Sequence, residues 1–580
     1  MLAVRVIEVL QFKESHIEVL EQRNNYNWLF VWLIVAKSSF STLQACALVI
    51  AALIAVPLLT VLASLLPGSD GETWAHLLDT VLPSYIVTTL YLCAGVAVGT
   101  IGIGTAAAWL VTMHNFPGRR IFEWALVLPL AVPTYVMAYT YTDLLQFVGP
   151  VQSWLRETFA LTPGSYWFPD VRTLGGAVVI FTFVLYPYVY LMARAAFLER
   201  ATSMLDVGRS LGLGPWRRFY SIALPLARPA IAAGAALALM ETLADYGAVS
   251  YFGVQTFTTG IYRAWFSLGD RQAAAQLAAA LLGFVALLLL IERVSRGRAR
   301  FDAAGGRHGV HVNTPLHGLR AVGAVLVCVI PLFAGFLLPA AVLLHMAISS
   351  GDAQFGERFF QLARNSFVLA SLTAMLAVAI ALLLAFAART ARSGLINRAN
   401  RLVALGYALS GTVIAVGVLI PVTRVDTWLA SAIMDMTGRS PGLLLTGGIA
   451  ALVYAYLVRF LAVSLHAVEA SLAKITPSMD DAARSLGHGA WATLWRVHLP
   501  ILRGSLLTGA LMVFVEVMKE LPATLVMRPF NFDTLATQAY TLASDERLAE
   551  ASTAALAIVA VGVLPLIILT REIARSRRPR

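Results

Sequence analysis

Long apolar segments alternate with short polar segments along most of the chain. A membrane-spanning helix needs about 20 consecutive apolar residues, and twelve segments meet that requirement. They lie near residues 43–66, 85–112, 121–146, 173–198, 229–250, 273–291, 321–346, 364–388, 402–422, 444–467, 504–522 and 551–570. The pattern predicts an all-α polytopic membrane protein with about twelve transmembrane helices in two pseudo-symmetric sets of six.

A polar segment separates the two sets. Residues 292–320 are rich in Arg, Gly and His and have no apolar periodicity, which favours a flexible tether. Residues 1–40 precede the first span, and their apolar run is too short to cross a bilayer. We therefore divide the chain into an N-terminal cytoplasmic or interfacial extension (1–40), a first half (41–291), a cytoplasmic linker (292–320) and a second half (321–580).

The composition and the distribution of charge narrow the class of protein. Hydrophobic residues make up 59% of the 580 residues and charged residues 13%, which excludes an ordinary soluble domain. The net charge of +11 would suit a nucleic-acid partner, but the basic residues are concentrated in alternate loops between spans. Cytoplasmic loops of membrane proteins carry this excess of Lys and Arg. The pattern predicts both termini in the cytoplasm, contact with membrane lipid and no nucleic-acid partner.

One polar motif occurs twice, each time just before the fifth apolar segment of a half. The first copy reads DVGRSLG at residues 206–212, and the second reads DAARSLG at residues 481–487. The two copies are 275 residues apart, and both are followed at the same spacing by an apolar residue, one further residue and Leu-Pro. Gly212 suits the left-handed end of a helix and Pro215 the start of another, so the motif predicts a short helix, a turn and a second helix. A single copy would fit an amphipathic hairpin on the membrane surface, whereas two copies in register favour docking of a cytoplasmic partner.

The motif resembles the EAA signature of ABC importer permeases, with Asp206 and Asp481 in place of the usual Glu. In that family the loop forms the coupling helix, which sits in a cleft of the cytoplasmic ATPase. The resemblance therefore implies an ATPase-docking coupling loop in each half. The residues that it assigns to these loops are Asp206, Gly208, Ser210, Leu211, Gly212, Asp481, Ala482, Ala483, Ser485, Leu486 and Gly487. The first copy departs from the family pattern, since Val207 and Gly208 stand where two alanines are usual and Gly weakens a helix.

Four carboxylates lie inside apolar segments, where ionisable side chains are costly. Glu241 and Asp245 occur in the fifth segment, and Glu516 and Glu520 in the eleventh. Residues four apart share one face of a helix, so the two pairs are expected to meet near a central pathway if the halves pack about a pseudo-twofold axis. Together with Tyr246 they are candidates for a translocation pathway or gate. The alternative is a structural network, in which Lys519 neutralises Glu516 or Glu520; no catalytic residue and no metal site is predicted.

The two halves are expected to be similar rather than identical. Their fifth segments align at the same offset of 275 residues as the repeated motif. In the third segment, however, Pro129 and Pro133 align with Gly406 and Ser410 of the second half. Proline removes a helical hydrogen bond and kinks a span, so the two halves need not bend alike.

Residues 241–265 resemble a run typical of the fused, two-half iron(III) transport permeases, and the resemblance covers most of the chain from about residue 43. It implies the type I ABC importer permease fold in the inner membrane of a bacterium, a periplasmic ferric-ion-binding protein and a homodimer of a cytoplasmic ABC ATPase. The chain has no Gly-x-x-x-x-Gly-Lys-Ser/Thr loop, so ATP is expected to bind the partner and the permease to need no cofactor of its own. It is then a transport subunit that acts by alternating access, not an enzyme.

Other cargoes and another class remain open. Related fused permeases handle thiamine, and unfused relatives handle sulfate or polyamines. An ion-gradient-driven secondary transporter often has two sets of six spans as well, but two docking loops would have no use in it.

Overall fold

The computed structural model describes residues 42–65, 79–198, 202–296, 314–349, 356–390 and 394–576. The helices of the first half are Thr42–Ala63 (α1), Leu82–Met113 (α2), Arg119–Ala125 (α3), Thr134–Leu145 (α4), Pro150–Phe159 (α5), Leu174–Ala196 (α6), Thr202–Ser210 (α7), Pro215–Ala244 (α8), Gly247–Tyr251 (α9), Phe257–Tyr262 (α10) and Arg271–Arg296 (α11). The helices of the second half are Leu319–Ser349 (α12), Glu357–Thr390 (α13), Gly394–Ala404 (α14), Gly411–Thr437 (α15), Ala450–Leu472 (α16), Pro477–Ser485 (α17), Trp491–Lys519 (α18), Pro522–Met527 (α19), Leu535–Ser544 (α20) and Leu548–Ser576 (α21).

The number of spans agrees with the hydrophobic pattern. In the described part of the chain, 11 helices are long and apolar enough to cross a membrane, and a bent pair, if counted as one span, makes a twelfth. That pair is residues 119–131 and 134–159, whose two arms meet at 91°. The all-α polytopic fold is therefore confirmed, but the third apolar segment, predicted near 121–146, is not one straight helix.

The third span is interrupted at the same place in both halves. A 3₁₀ turn, Leu128–Ala131 in one half and Leu405–Ala408 in the other, precedes an extended residue before the next helix. That residue is Pro133 in the first half (φ −61°, ψ 144°) and Ser410 in the second (φ −63°, ψ 143°). The break does not need proline, because the Ser410 hydroxyl caps α15 by accepting the N–H of Thr412. The second-half span consequently runs over α15 and not over residues 402–422, as the sequence had suggested.

The halves differ beyond this break. In the first half α4 ends at Leu145, and a separate amphipathic helix, α5, follows it. In the second half α15 continues for 27 residues. The expectation of unequal bending is confirmed, although the difference lies after the prolines rather than at them.

The first long helix of each half packs against the opposite half. A Cβ added at Gly417 of α15 would lie 2.5 Å from the carbonyl oxygen of Pro57 in α1, and one at Gly335 of α12 would lie 2.6 Å from that of Phe183 in α6. Glycine permits this close approach of helix backbones in membrane proteins. The halves are therefore interlocked by their own helices.

Parts of the predicted extension and linker lie outside the described residues. These are the whole of 1–40 and residues 297–313 of the linker. The first described part of the linker continues α11 to Arg296. Near its other end, Thr314–Pro315 (β2) pairs in parallel with His114–Asn115 (β1). The division into extension, two halves and linker remains a prediction.

Candidate functional site

The repeated motif folds as a helix, a turn and a second helix in both halves, as predicted. After α7, Gly212 has a left-handed backbone (φ +73°), and after α17, Gly487 has the same conformation (φ +81°). The N–H of Leu213 donates to the carbonyl of Gly208 and that of His488 to the carbonyl of Ala483, both at 3.0 Å. This is the closing hydrogen bond of a Schellman motif, which glycine favours.

Most of the described residues of the two motifs are accessible to a partner. Leu211 is 74% exposed and its counterpart Leu486 is 77% exposed, which is unusual for large apolar side chains in register on two loops. Gly208 and Ala483 face inward. The side chain of Asp206 lies outside the described part. The remaining motif residues that are exposed are Ser210, Gly212, Asp481, Ala482, Ser485 and Gly487.

The fifth and eleventh spans end earlier than the hydrophobic pattern predicts. α8 ends at Ala244 and α18 at Lys519. The next residues, Asp245 and Glu520, are extended (φ −71°, ψ 138° and φ −70°, ψ 124°). Each predicted pair of carboxylates therefore does not share one helix face, and that prediction is wrong.

The second carboxylate of each pair leaves its span to cap the next helix. Asp245 Oδ1 accepts the backbone N–H of Ala248 in α9 at 2.9 Å, and Glu520 Oε1 accepts that of Ala523 in α19 at 3.0 Å. A carboxylate at a helix N-terminus compensates unpaired N–H groups and the helix dipole. Asp245 and Glu520 thus have the same structural role in the two halves.

The two capping carboxylates differ in their remaining partners. Glu520 forms an ion pair with Arg459 of α16 at 3.1 Å, and the two side chains are 2% and 10% exposed. Asp245 instead accepts a hydrogen bond from the Thr134 hydroxyl. At the offset of 275 residues the counterpart of Arg459 is Val184. Within the described residues, only the second half supplies a cation to its capping carboxylate.

The first carboxylates of the two pairs show the same difference. Glu516 forms an ion pair with Lys519 at 2.9 Å, the neutralisation that the structural alternative predicts. Glu241 Oε1 accepts a hydrogen bond from the hydroxyl of Tyr407, which comes from the second half, at 3.1 Å. The counterpart of Lys519 is Ala244, and no ion pair of Glu241 is found in the described part of the chain.

All four carboxylates line one cavity between the halves. It has a volume of about 90 Å³, and Arg459 and Lys519 line it as well. By formal charge the wall carries four negative and two positive groups, and both positive groups lie beside carboxylates of the second half. Among the described residues no three His, Cys, Asp or Glu side chains converge closely enough to hold a metal ion. The cavity is thus a charged passage wall in this conformation rather than a coordination site.

Tyr246, the remaining candidate for the pathway, does not line this cavity. Its ring stacks on that of Tyr262, with centroids 4.5 Å apart, and lies 6.1 Å from that of Tyr540 in α20. The Tyr540 hydroxyl is 3.2 Å from the hydroxyl of Ser250. These side chains come from both halves and follow the ends of α8 and α18 that are distant from the repeated loops. They form an aromatic contact between the halves there.

Sequence reasoning missed several residues that shape the site. Arg459 had a usable signal, because it is an ionisable residue in the middle of an apolar segment. Tyr407 and His498 had none, since their partners Glu241 and Asp480 are brought to them only by the fold.

Comparison with known proteins identifies the family. Residues 99–300 match the family model described as "Binding-protein-dependent transport system inner membrane component". The chain is 27% identical to the Fe(3+)-transport system permease protein FbpB 2 of Haemophilus influenzae, over 83% of this chain and 88% of that protein. It is 29% identical to the molybdenum transport system permease protein ModB of Escherichia coli, over 34% of this chain and 87% of that protein. A crystal structure of a bacterial alginate ABC transporter with its periplasmic protein aligns at a TM-score of 0.34 and 18% identity, over 43% of this chain and 91% of that one.

The family match lies in the first half, whereas the relative from Haemophilus influenzae aligns over most of both chains. The second half repeats the loop motif at residues 481–487 and the carboxylates that follow it. The chain is a multi-pass membrane protein whose matched relatives are transport permeases. It belongs to the family of binding-protein-dependent transport system inner membrane components, the permeases of ABC transporters.

Proposed function

We propose that this permease carries iron(III), delivered by a periplasmic binding protein, across the inner membrane of a bacterium to the cytoplasm. The observation that carries the proposal is the unbalanced negative charge on the first-half wall of the cavity. Glu241 and Asp245 have no cationic partner among the described residues, whereas Glu516 and Glu520 do. Such a wall attracts a cation and repels an anion. It therefore favours the cargo named for the Fe(3+) relative over sulfate, the cargo named for others.

Two helices connect the docking loops with the cavity. α8 and α18 begin just after the two motifs, and Glu241 and Glu516 lie near their other ends. These helices have 30 and 29 residues, which corresponds to about 45 Å at the rise of an α-helix. A movement of either loop is thereby transmitted along one helix to the carboxylates. This is the geometry that alternating access requires, since ATP and cargo must bias one equilibrium.

The partners follow from the same geometry. A homodimer of a cytoplasmic ABC ATPase docks on α7 and α17, and the exposed Leu211 and Leu486 insert into its two subunits. ATP is bound and hydrolysed by that dimer, so the permease itself is a transport subunit. Both termini and the linker 292–320 then lie in the cytoplasm, with halves 41–291 and 321–580 in the membrane. A secondary transporter would leave both exposed leucines without a purpose.

The test is uptake of radiolabelled iron(III) by vesicles that contain the chain, its ATPase and its periplasmic binding protein. Iron is expected to accumulate only when ATP is hydrolysed, and sulfate, thiamine and polyamines are expected not to. ATP-driven uptake of one of those compounds without iron would contradict the proposed cargo. Iron uptake that does not change when the ATPase is omitted would contradict the proposed class and favour a secondary transporter.

Replacing Gly487 by valine is expected to lower the amount of cargo moved per ATP while the spans still fold. The left-handed backbone of Gly487 is strained for any other residue, by roughly 1–2 kcal/mol, and the strain changes the direction in which α17 leaves the turn. Gly489→Val is the matched control, because its backbone is not left-handed and both positions have open space for the added side chain. Uptake and ATP hydrolysis are measured in the same vesicles. Equal cargo per ATP in the two variants would contradict a coupling role for the turn.

A further inference from the structure

A carboxylate beside the second motif is held by spans of the second half. Asp480 lies in α17, and its Oδ1 is 2.7 Å from Nε2 of His498 in α18. Its Oδ2 accepts a hydrogen bond from Nε of Arg389, near the end of α13, at 2.8 Å. The His498 side chain is 1% exposed. This contact is therefore inside the protein, although most of α17 lies at the surface.

Arg389 brings a third span to the same point. Its Nη1 donates to the carbonyl oxygen of Leu472 and its Nη2 to that of Ile475, both at 2.9 Å. Leu472 is the last residue of α16, where carbonyl groups have no partner within the helix. Arginine has enough donors to serve these carbonyls and a carboxylate at once. We call Asp480, Arg389 and His498 the clamp, because together they tie α17 to α13, α16 and α18.

The charge on Asp480 strengthens the clamp. Partial burial raises the pKa of Asp480, but the hydrogen bonds from His498 and Arg389 together lower it by more, so the pKa lies below its usual range. The side chain is therefore ionised at neutral pH. Hydrogen bonds to an ionised group are about twice as strong as those between neutral groups.

The first half has no equivalent of the clamp. The residues that align with Arg389, Asp480 and His498 are Thr112, Leu205 and Ala223, none of which ionises. The first motif packs differently: a Cβ added at Gly208 of α7 would lie 2.6 Å from Cδ1 of Ile222 at the start of α8. α7 thus rests on an apolar contact with its own span, whereas α17 is bonded to three spans.

We propose that Asp480 is a positioning residue that fixes α17 rigidly to the second half, so that the movement of the ATPase reaches the cavity chiefly through this half. The inference rests on the proposed docking of the ATPase at both loops. It adds that the two loops are unequal: α17 transmits movement as part of a rigid body, and α7 follows with more freedom. Asp480 does not touch cargo or ATP and acts only through α17.

The rigidity of the loops can be measured without any transport. Cys46, Cys93 and Cys328 are the three cysteines of the chain, and a background without them accepts a nitroxide at Leu486 or at its counterpart Leu211. Both side chains are exposed to a similar degree, so the two labels are a matched pair. In the full chain we expect the label at position 486 to be the less mobile, and Asp480→Asn to raise its mobility to that at position 211. Equal mobility before the substitution, or none gained after it, would overturn the inference.

Coupling is measured in the complete complex. Asp480→Asn and His498→Ala are each expected to retain assembly and ATP hydrolysis while cargo moved per ATP falls about tenfold, the scale of losing a charge-assisted hydrogen bond. The double variant is expected to be no worse than Asp480→Asn, because both changes remove one shared contact. His466→Ala, at an exposed position of α16, is the control. Loss of folded complex in proportion to lost transport, or cargo per ATP equal to that of the control, would overturn the positioning role.

The two measurements separate this inference from the proposed function. A wild-type complex that shows no ATP-driven uptake contradicts the proposed function, whereas the mobility difference between the loops is still read in the chain alone. ATP-driven uptake together with unequal loops supports both. Uptake with equally mobile loops supports the function and overturns the clamp.

Discussion

Replacing Arg459 by methionine is expected to destabilise the protein by about 3–5 kcal/mol, because it leaves the buried carboxylate of Glu520 without its counter-charge. Glu520 is 2% exposed and caps α19, so it has no route to solvent. The effect is measured as the fall in the unfolding midpoint of the purified protein in detergent. We expect a lower midpoint and a smaller yield of monodisperse protein.

Two further variants identify the cause of that loss. Arg459→Met combined with Glu520→Gln removes both charges and is expected to recover most of the midpoint, since an uncharged pair is tolerated in the interior. Arg484→Met breaks the exposed pair with Asp481, whose side chains are 70% and 66% exposed, and is expected to have little effect. If the double variant unfolds as early as the single one, lost packing rather than unpaired charge explains the effect.

Neutralising Glu241 and Asp245 together, as Glu241→Gln with Asp245→Asn, is expected to reduce cargo uptake roughly a hundredfold, the scale of two close charge interactions at intermediate dielectric. The amides keep the size of the side chains, and Asn can still cap α9. Assembly with the ATPase and binding of the periplasmic protein are expected to persist. The measurement is initial uptake rate per assembled complex.

The matched control for this pair comes from the second half. Glu516→Gln with Lys519→Met removes one ion pair from the same cavity and leaves its formal charge unchanged. It is expected to reduce uptake much less. Equal losses in both double variants, or failure of the first to assemble, would favour a structural network over a pathway for cations.

The sequence was sufficient for the features that depend on local chemistry. Twelve apolar segments predicted the spans, because a bilayer imposes their length. Gly212 and Gly487 were predicted at left-handed helix ends, since few residues other than glycine adopt that conformation. The loop motif and residues 241–265 predicted the permease family. Each of these signals is carried by neighbouring residues.

The features that were missed depend on contacts between distant segments. Residues 245–250 continue the apolar pattern, yet α8 stops at Ala244 because Asp245 finds Thr134 and the start of α9. The exchange of α1 and α12 between the halves cannot be read from hydropathy, which is the same for either arrangement. Gly417 and Gly335 mark those contacts, but glycine is common in membrane helices and was no signal without the fold.

Both cations of the cavity, Arg459 and Lys519, come from the second half, and this restricts how the gene can evolve. A homodimer built from two first halves would gather four carboxylates with Val184 and Ala244 where the cations stand now, and their mutual repulsion would oppose its closure. A homodimer of second halves would pair every acid and lose the surplus negative charge. Neither half can replace the other, so the ancestral duplication has become irreversible.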